Sequence, residues 1–124
     1  MADAEIMIAA VSGYLAAFEA GDADAVAGLY ADNCTVEDPI GAPLHSGREA
    51  VRAFYAQSMA TGAKLKLEGP PRIAGDYAAF PFSVNLMMGG SPKRIDVIDT
   101  FKFDDQGKVV EMRAFWGPTN MHGF

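Results

Sequence analysis

The chain has 124 residues, half of them hydrophobic, with 10 basic and 16 acidic side chains and a formal net charge of −6. Enough apolar material for a core argues against disorder. The missing basic stripe argues against nucleic acid, and equally against an anionic membrane surface. A lone cysteine, Cys34, allows no intrachain disulfide and fits a reducing cytoplasm. "MADAEIM" has no basic segment before an apolar run, and no stretch approaches the length of a membrane span. With no linker or repeat, residues 1–124 are expected to form a single domain.

The first predicted element is a helix over "DAEIMIAAVSGYLAAFEAG", with Asp3 as its N-cap and Gly21 past its end. Met7, Val11, Tyr14, Leu15 and Phe18 recur at helical spacing and form its buried stripe. A short second helix capped by Asp22 places Val26, Leu29 and Tyr30 on its apolar face. A strand follows in "CTVEDP", where alternation puts Cys34, Val36 and Asp38 on the core side and Glu37 outward. The third helix starts at "SGRE", where Ser46 and Glu49 have capping-box spacing, and it buries Val51, Phe54, Tyr55 and Met59.

The second half alternates as strands do. Leu65 and Leu67 share a face, as do Phe80, Phe82, Val84, Leu86 and Met88, before a turn at "GGSP". In "RIDVIDTFKF", Ile95, Val97, Asp99, Phe101 and Phe103 point one way. A "DDQG" hairpin leads to a last strand with Val110, Met112, Ala114 and Trp116 inward. Met87, Ile98 and Phe115 fall in outward phase, where a monomer favours polar groups, and mark a candidate dimer face. Helices followed by strands predict an α+β fold in which three N-terminal-half helices pack on a curved antiparallel sheet around an aromatic-lined pocket.

Three core-facing positions break the apolar pattern: Tyr14, Asp38 and Asp99. A buried carboxylate is costly unless paired or protonated, and desolvation raises its pKa. Lys93, Arg94, Lys102 and Arg113 all lie outward or at strand ends, so Asp99 has no cation on its face and is expected to be neutral at pH 7. Asp38 ends its strand before a proline, where some water reaches it, and is expected to stay ionised. One anionic acceptor facing two neutral donors across an apolar cavity suits removal of a proton from carbon beside a ketone. Asp38 would take the proton, while Tyr14 and Asp99 hold the developing oxyanion. His45 and His122 lack metal-ligand spacing, and no nucleophile elbow, P-loop or dinucleotide fingerprint is present.

The segments "YLAAFEAGD", "GLYADNCTVEDPIG", "FYAQS", "IDTFKF" and "MRAFWGPTN" resemble the bacterial ketosteroid isomerases of the nuclear-transport-factor-2-like superfamily, over nearly the whole chain. The resemblance implies a cone-shaped α+β barrel, a homodimer, no cofactor, and migration of a steroid double bond into conjugation with its ketone. By matching motif, Asp38 in "VEDP" corresponds to the general base, and Tyr14 with Asp99 to the oxyanion-hole donors. In that family the oxyanion-hole acid is kept protonated by its apolar surroundings. Tyr55 matches a tyrosine that supports Tyr14, and Tyr30 extends that network. A flat apolar substrate would lie along Phe54, Phe82, Phe101, Met112 and Trp116. The alternatives are a related cofactor-free cyclase or dehydratase, or a non-catalytic binder of a small apolar ligand.

Overall fold

A computed structural model describes residues 2–124. Helix α1 (Ala4–Glu19) begins where the Asp3 carboxylate accepts the Ile6 N–H at 2.9 Å, and Gly21 follows its end at φ 68°. Its stripe buries Met7, Val11, Tyr14 and Phe18 with two alanines, while Leu15 is only partly covered. Helix α2 (Ala23–Ala27) is capped by Asp22 and is shorter than expected. Leu29 therefore lies beyond it, and Tyr30 opens strand β1 (Tyr30–Glu37). The expected capping box at α3 (Arg48–Ala60) does not form. Ser46 is instead paired with Thr35 in the two-residue strand β2 (His45–Ser46), and Gly47 takes the cap position at φ 88°. That left-handed turn, which glycine enters at little cost, lets the Gly47 N–H reach the Cys34 carbonyl at 2.8 Å.

Strands β3 (Lys64–Leu67), β4 (Arg72–Ala74), β5 (Tyr77–Met88), β6 (Ser91–Phe103), β7 (Val109–Phe115) and β8 (Met121–His122) complete the chain. The main path of the sheet runs β2-β1-β7-β6-β5-β3, with β4 added on β5 and β8 on β6. The sheet corrects two expectations. It is mixed, because β1 and β7 are parallel, and it stays open, with β2 and β3 at its two ends, so it is no closed barrel. Helices α1 and α3 fill the concave face that closure would otherwise have to seal.

Two details shift side chains from their expected phase. A bulge between Lys102 and Phe103 pairs Phe103 with Val109, so Val109 rather than Val110 is the buried residue at the start of β7. Met88 ends β5 at the β5–β6 turn and is exposed despite its inward phase. Along the rest of β6 the alternation holds: Val97, Asp99, Phe101 and Phe103 are all buried.

Candidate active site

Asp99 sits midway along β6, paired across the sheet with Phe80 on one side and Ala114 on the other. All its immediate neighbours on that face, Val97 and Phe101 included, are apolar and buried. The residue is 1% exposed, and neither carboxyl oxygen has a hydrogen-bond partner among the described residues. Burial drives its pKa well above the ordinary carboxylate value, and the nearby Asp38 charge adds to the shift. The shift favours the protonated form, whose O–H and lone pair have no partner among the described residues.

A linked titration follows. Asp99 binds its proton more tightly folded than unfolded, so above pH 3.8, the ordinary value, the folded state holds more protons and stability falls as pH rises toward the folded pKa. Asp99→Asn removes that loss. Urea midpoints at pH 5 and pH 8 should fall with pH in the native protein and change less in the variant; parallel slopes would contradict a raised Asp99 pKa.

Tyr14 comes from the middle of α1 and is 3% exposed. Its ring stands edge-on to Tyr55, Phe80 and Phe101, with centroids 5.7, 6.0 and 5.4 Å away. Desolvation first, then the Asp99 charge, raises its phenol well above the usual tyrosine value, against a lowering hydrogen bond with Tyr55. Tyr55 in turn lies 2.6 Å, hydroxyl to hydroxyl, from Tyr30. The three phenols are thus buried together, and it is their desolvation that favours the neutral, donating form of Tyr14.

Asp38 follows the last residue of β1, where Val36 is fully buried and Glu37 turns outward toward Arg113. The Trp116 indole N–H donates to its Oδ1 at 2.8 Å. Partial burial raises its pKa above the usual carboxylate range, while the Trp116 hydrogen bond and the field of His45 pull it back. The carboxylate is thus a more basic acceptor than an exposed one, with the indole N–H bound to its anionic form. Trp116→Phe should move the acid limb of kcat/KM to higher pH by about one unit, as expected for losing a hydrogen bond to a charged group worth roughly 1.5 kcal/mol. An unmoved limb would mean that the indole does not hold the base.

A cavity of about 220 Å³ joins these groups, with Tyr14, Asp38, Tyr55 and Trp116 among its walls. Phe54 and Phe82 also line it, in agreement with their expected places. Phe101 and Met112 do not. Both are fully buried, and Phe101 packs edge-on against the Tyr14 ring, so it braces a cavity residue from behind the wall. Asp99 likewise lies behind the cavity wall, close enough to raise the Tyr14 pKa and to feel the Asp38 charge. Phe18, Leu65, Val84, Leu86, Ile95 and Val97 supply much of the remaining apolar wall. Their inward phase was legible, but alternation cannot separate a core contact from a cavity wall. His45 lies in β2 with its ring centroid 4.6 Å from that of Phe54. No set of three or more metal-binding side chains clusters among the described residues.

The open α+β sheet wrapped over three helices, with an acid-bearing cavity between them, defines the class. Residues 11–112 match the SnoaL-like domain, and the chain belongs to this family of nuclear-transport-factor-2-like folds. Among curated proteins it is 40% identical over 113 residues to a steroid Δ-isomerase of Nocardioides simplex, covering 91% of each chain. It is also 28% identical to the epoxide hydrolase LasB of Streptomyces lasalocidi, spanning 82% of this chain but 44% of that protein. Among solved structures, the epoxide hydrolase/cyclase-like enzyme SalBIII, described for pyran ring formation in the polyether salinomycin, superposes with a TM-score of 0.90. That match is 25% identical and covers 98% of both chains.

Proposed function

We propose that this chain is a steroid Δ-isomerase, moving the double bond of a 3-oxo-Δ5-steroid into conjugation with the ketone. The observation that carries the assignment is the pairing of unlike acids, Asp38 on the wall of one apolar cavity and Asp99 just behind it. Asp38 is held by an indole N–H as an acceptor, while Asp99 is buried, unpaired and protonated beside the neutral phenol of Tyr14. The 40% identity to a steroid Δ-isomerase supports the same reaction class.

In the proposed mechanism the ketone oxygen accepts from the Tyr14 hydroxyl on the cavity wall, and a small inward shift brings it to the Asp99 hydroxyl just behind. The Asp38 carboxylate removes a proton from the carbon between ketone and alkene, and the bonding electrons move into the ring system to give a dienolate. Both donors strengthen their hydrogen bonds as the oxygen becomes negative, in a site whose low polarity leaves little competing water. Asp38, now a carboxylic acid, returns the same proton to the far alkene carbon. Because one carboxylate serves both steps, no second base is required.

The test mixes protein with a Δ5-3-ketosteroid deuterated at the reacting carbon. Conjugated-enone absorbance should rise, with part of the deuterium retained at the far carbon. The LasB and SalBIII relatives favour epoxide opening as the second candidate. Turnover of an epoxy-alcohol without enone formation would replace the isomerase assignment.

The outer face of the sheet supports a homodimer in the same proposal. Ile98 and Phe115 stand directly opposite each other on β6 and β7, both exposed, with Met87 further along. Sedimentation at micromolar concentration should give a dimer, and Ile98→Lys should give a monomer; a native monomer would remove this element.

A further inference from the structure

The cavity wall is not uniformly apolar away from the acids. Helix α3 contributes Phe54, Tyr55, Ser58 and Thr61 to the lining, one stripe that leads from the buried phenols to an exposed Thr61. With a rise of 1.5 Å per residue, Ser58 and Thr61 lie roughly 4.5 and 9 Å along the helix from Tyr55. A cavity of about 220 Å³ is small for enclosing a drug-sized molecule. A long ligand whose ketone reaches Tyr14 therefore places its far end between these two hydroxyls and the rim.

The hydroxyl protons there are already committed. Ser58 Oγ donates to the Phe54 carbonyl at 3.1 Å. Thr61 Oγ1 donates to the Ser58 carbonyl at 2.6 Å and accepts the Ala63 N–H at 3.3 Å. Thr61 is thus occupied in both senses, whereas Ser58, on the cavity wall, has its proton directed back into the helix and its oxygen accepts from no group among the described residues. Such an oxygen accepts from a ligand donor without rearrangement. Donating to a ligand carbonyl would first break its bond to Phe54.

We propose that Ser58 is a specificity-determining residue, accepting a hydrogen bond from a hydroxyl at the end of the substrate opposite the reacting ketone. The proposal rests on the isomerase assignment for the direction in which the ligand lies. It selects a hydroxylated over an oxo or unsubstituted distal ring. A neutral hydrogen bond of about 1 kcal/mol corresponds to a preference of about fivefold.

Trp116, the one tryptophan, lines the cavity and reports binding by its fluorescence. Three conjugated 3-oxo-Δ4-steroids that differ only in the distal ring (hydroxyl, ketone, unsubstituted) are titrated against wild type and Ser58→Ala, the latter an exchange that favours the helix. Wild type should bind the hydroxyl compound about fivefold more tightly than either analogue, and Ser58→Ala should bring that ratio to about one. Thr61→Val should leave the ratio in place. An absent preference in wild type, or one that survives in Ser58→Ala, overturns the proposal. Binding with the expected ratios but no turnover of the Δ5 compound sinks the isomerase assignment alone, and failure of all three ligands to bind sinks both.

Discussion

Asp38→Asn is expected to lower kcat by roughly 10²–10⁴-fold, the usual worth of a positioned general base. The amide keeps the shape of the side chain and its carbonyl still accepts the Trp116 N–H, so the cavity wall is preserved. What disappears is the lone pair that takes the proton. Binding of a conjugated 3-ketosteroid, which needs no proton transfer, should change by less than severalfold. In the native protein, kcat/KM should fall as pH drops through the raised pKa of Asp38, because protonation fills the acceptor. That limb should vanish in the Asn variant, leaving a low, flat profile. Wild-type turnover in Asp38→Asn would mean that another group is the base.

The second large effect concerns the donors. Tyr14→Phe and Asp99→Ala should each cost on the order of 10²–10³-fold in kcat, the range for losing one oxyanion-hole donor. Neither change touches the base, so the acid limb set by Asp38 should remain in Tyr14→Phe. If the two hydroxyls hold one oxygen, the double variant should lose less than the product of the single losses, since the remaining donor and incoming water compensate jointly. Asp99→Asn restores an N–H donor and should recover part of the rate lost in Asp99→Ala. Unchanged rates in both single variants would dismiss the oxyanion hole, and strictly multiplicative losses would mean that Tyr14 and Asp99 act on different atoms.

Much of the site depends on residues whose roles were visible one element at a time. The i, i+3, i+4 spacing that buries Met7, Val11 and Phe18 carries Tyr14 inward with them. The period-2 alternation of β6 leaves Asp99 nowhere to point except into the core. A carboxyl in that phase with no cation beside it implies protonation, and in the fold neither of its oxygens has a hydrogen-bond partner among the described residues. The same reasoning reached too far at Phe101 and Met112. Both have the inward phase, yet both fill core where the sheet meets the helices, and neither touches the cavity.

Periodicity and capping chemistry, read locally, determined the three helices, the long hairpin and the inward aim of Tyr14, Asp38 and Asp99, because side-chain direction follows from backbone geometry within a few residues. The parallel pairing of β1 with β7 and the open sheet are decided by contacts far apart in the chain. So is the reach of Trp116 across 78 residues to Asp38, which no local pattern encodes. Only the folded chain separates walls from filling, since a cavity exists where neighbouring elements fail to meet, and that distance is not written in any one of them.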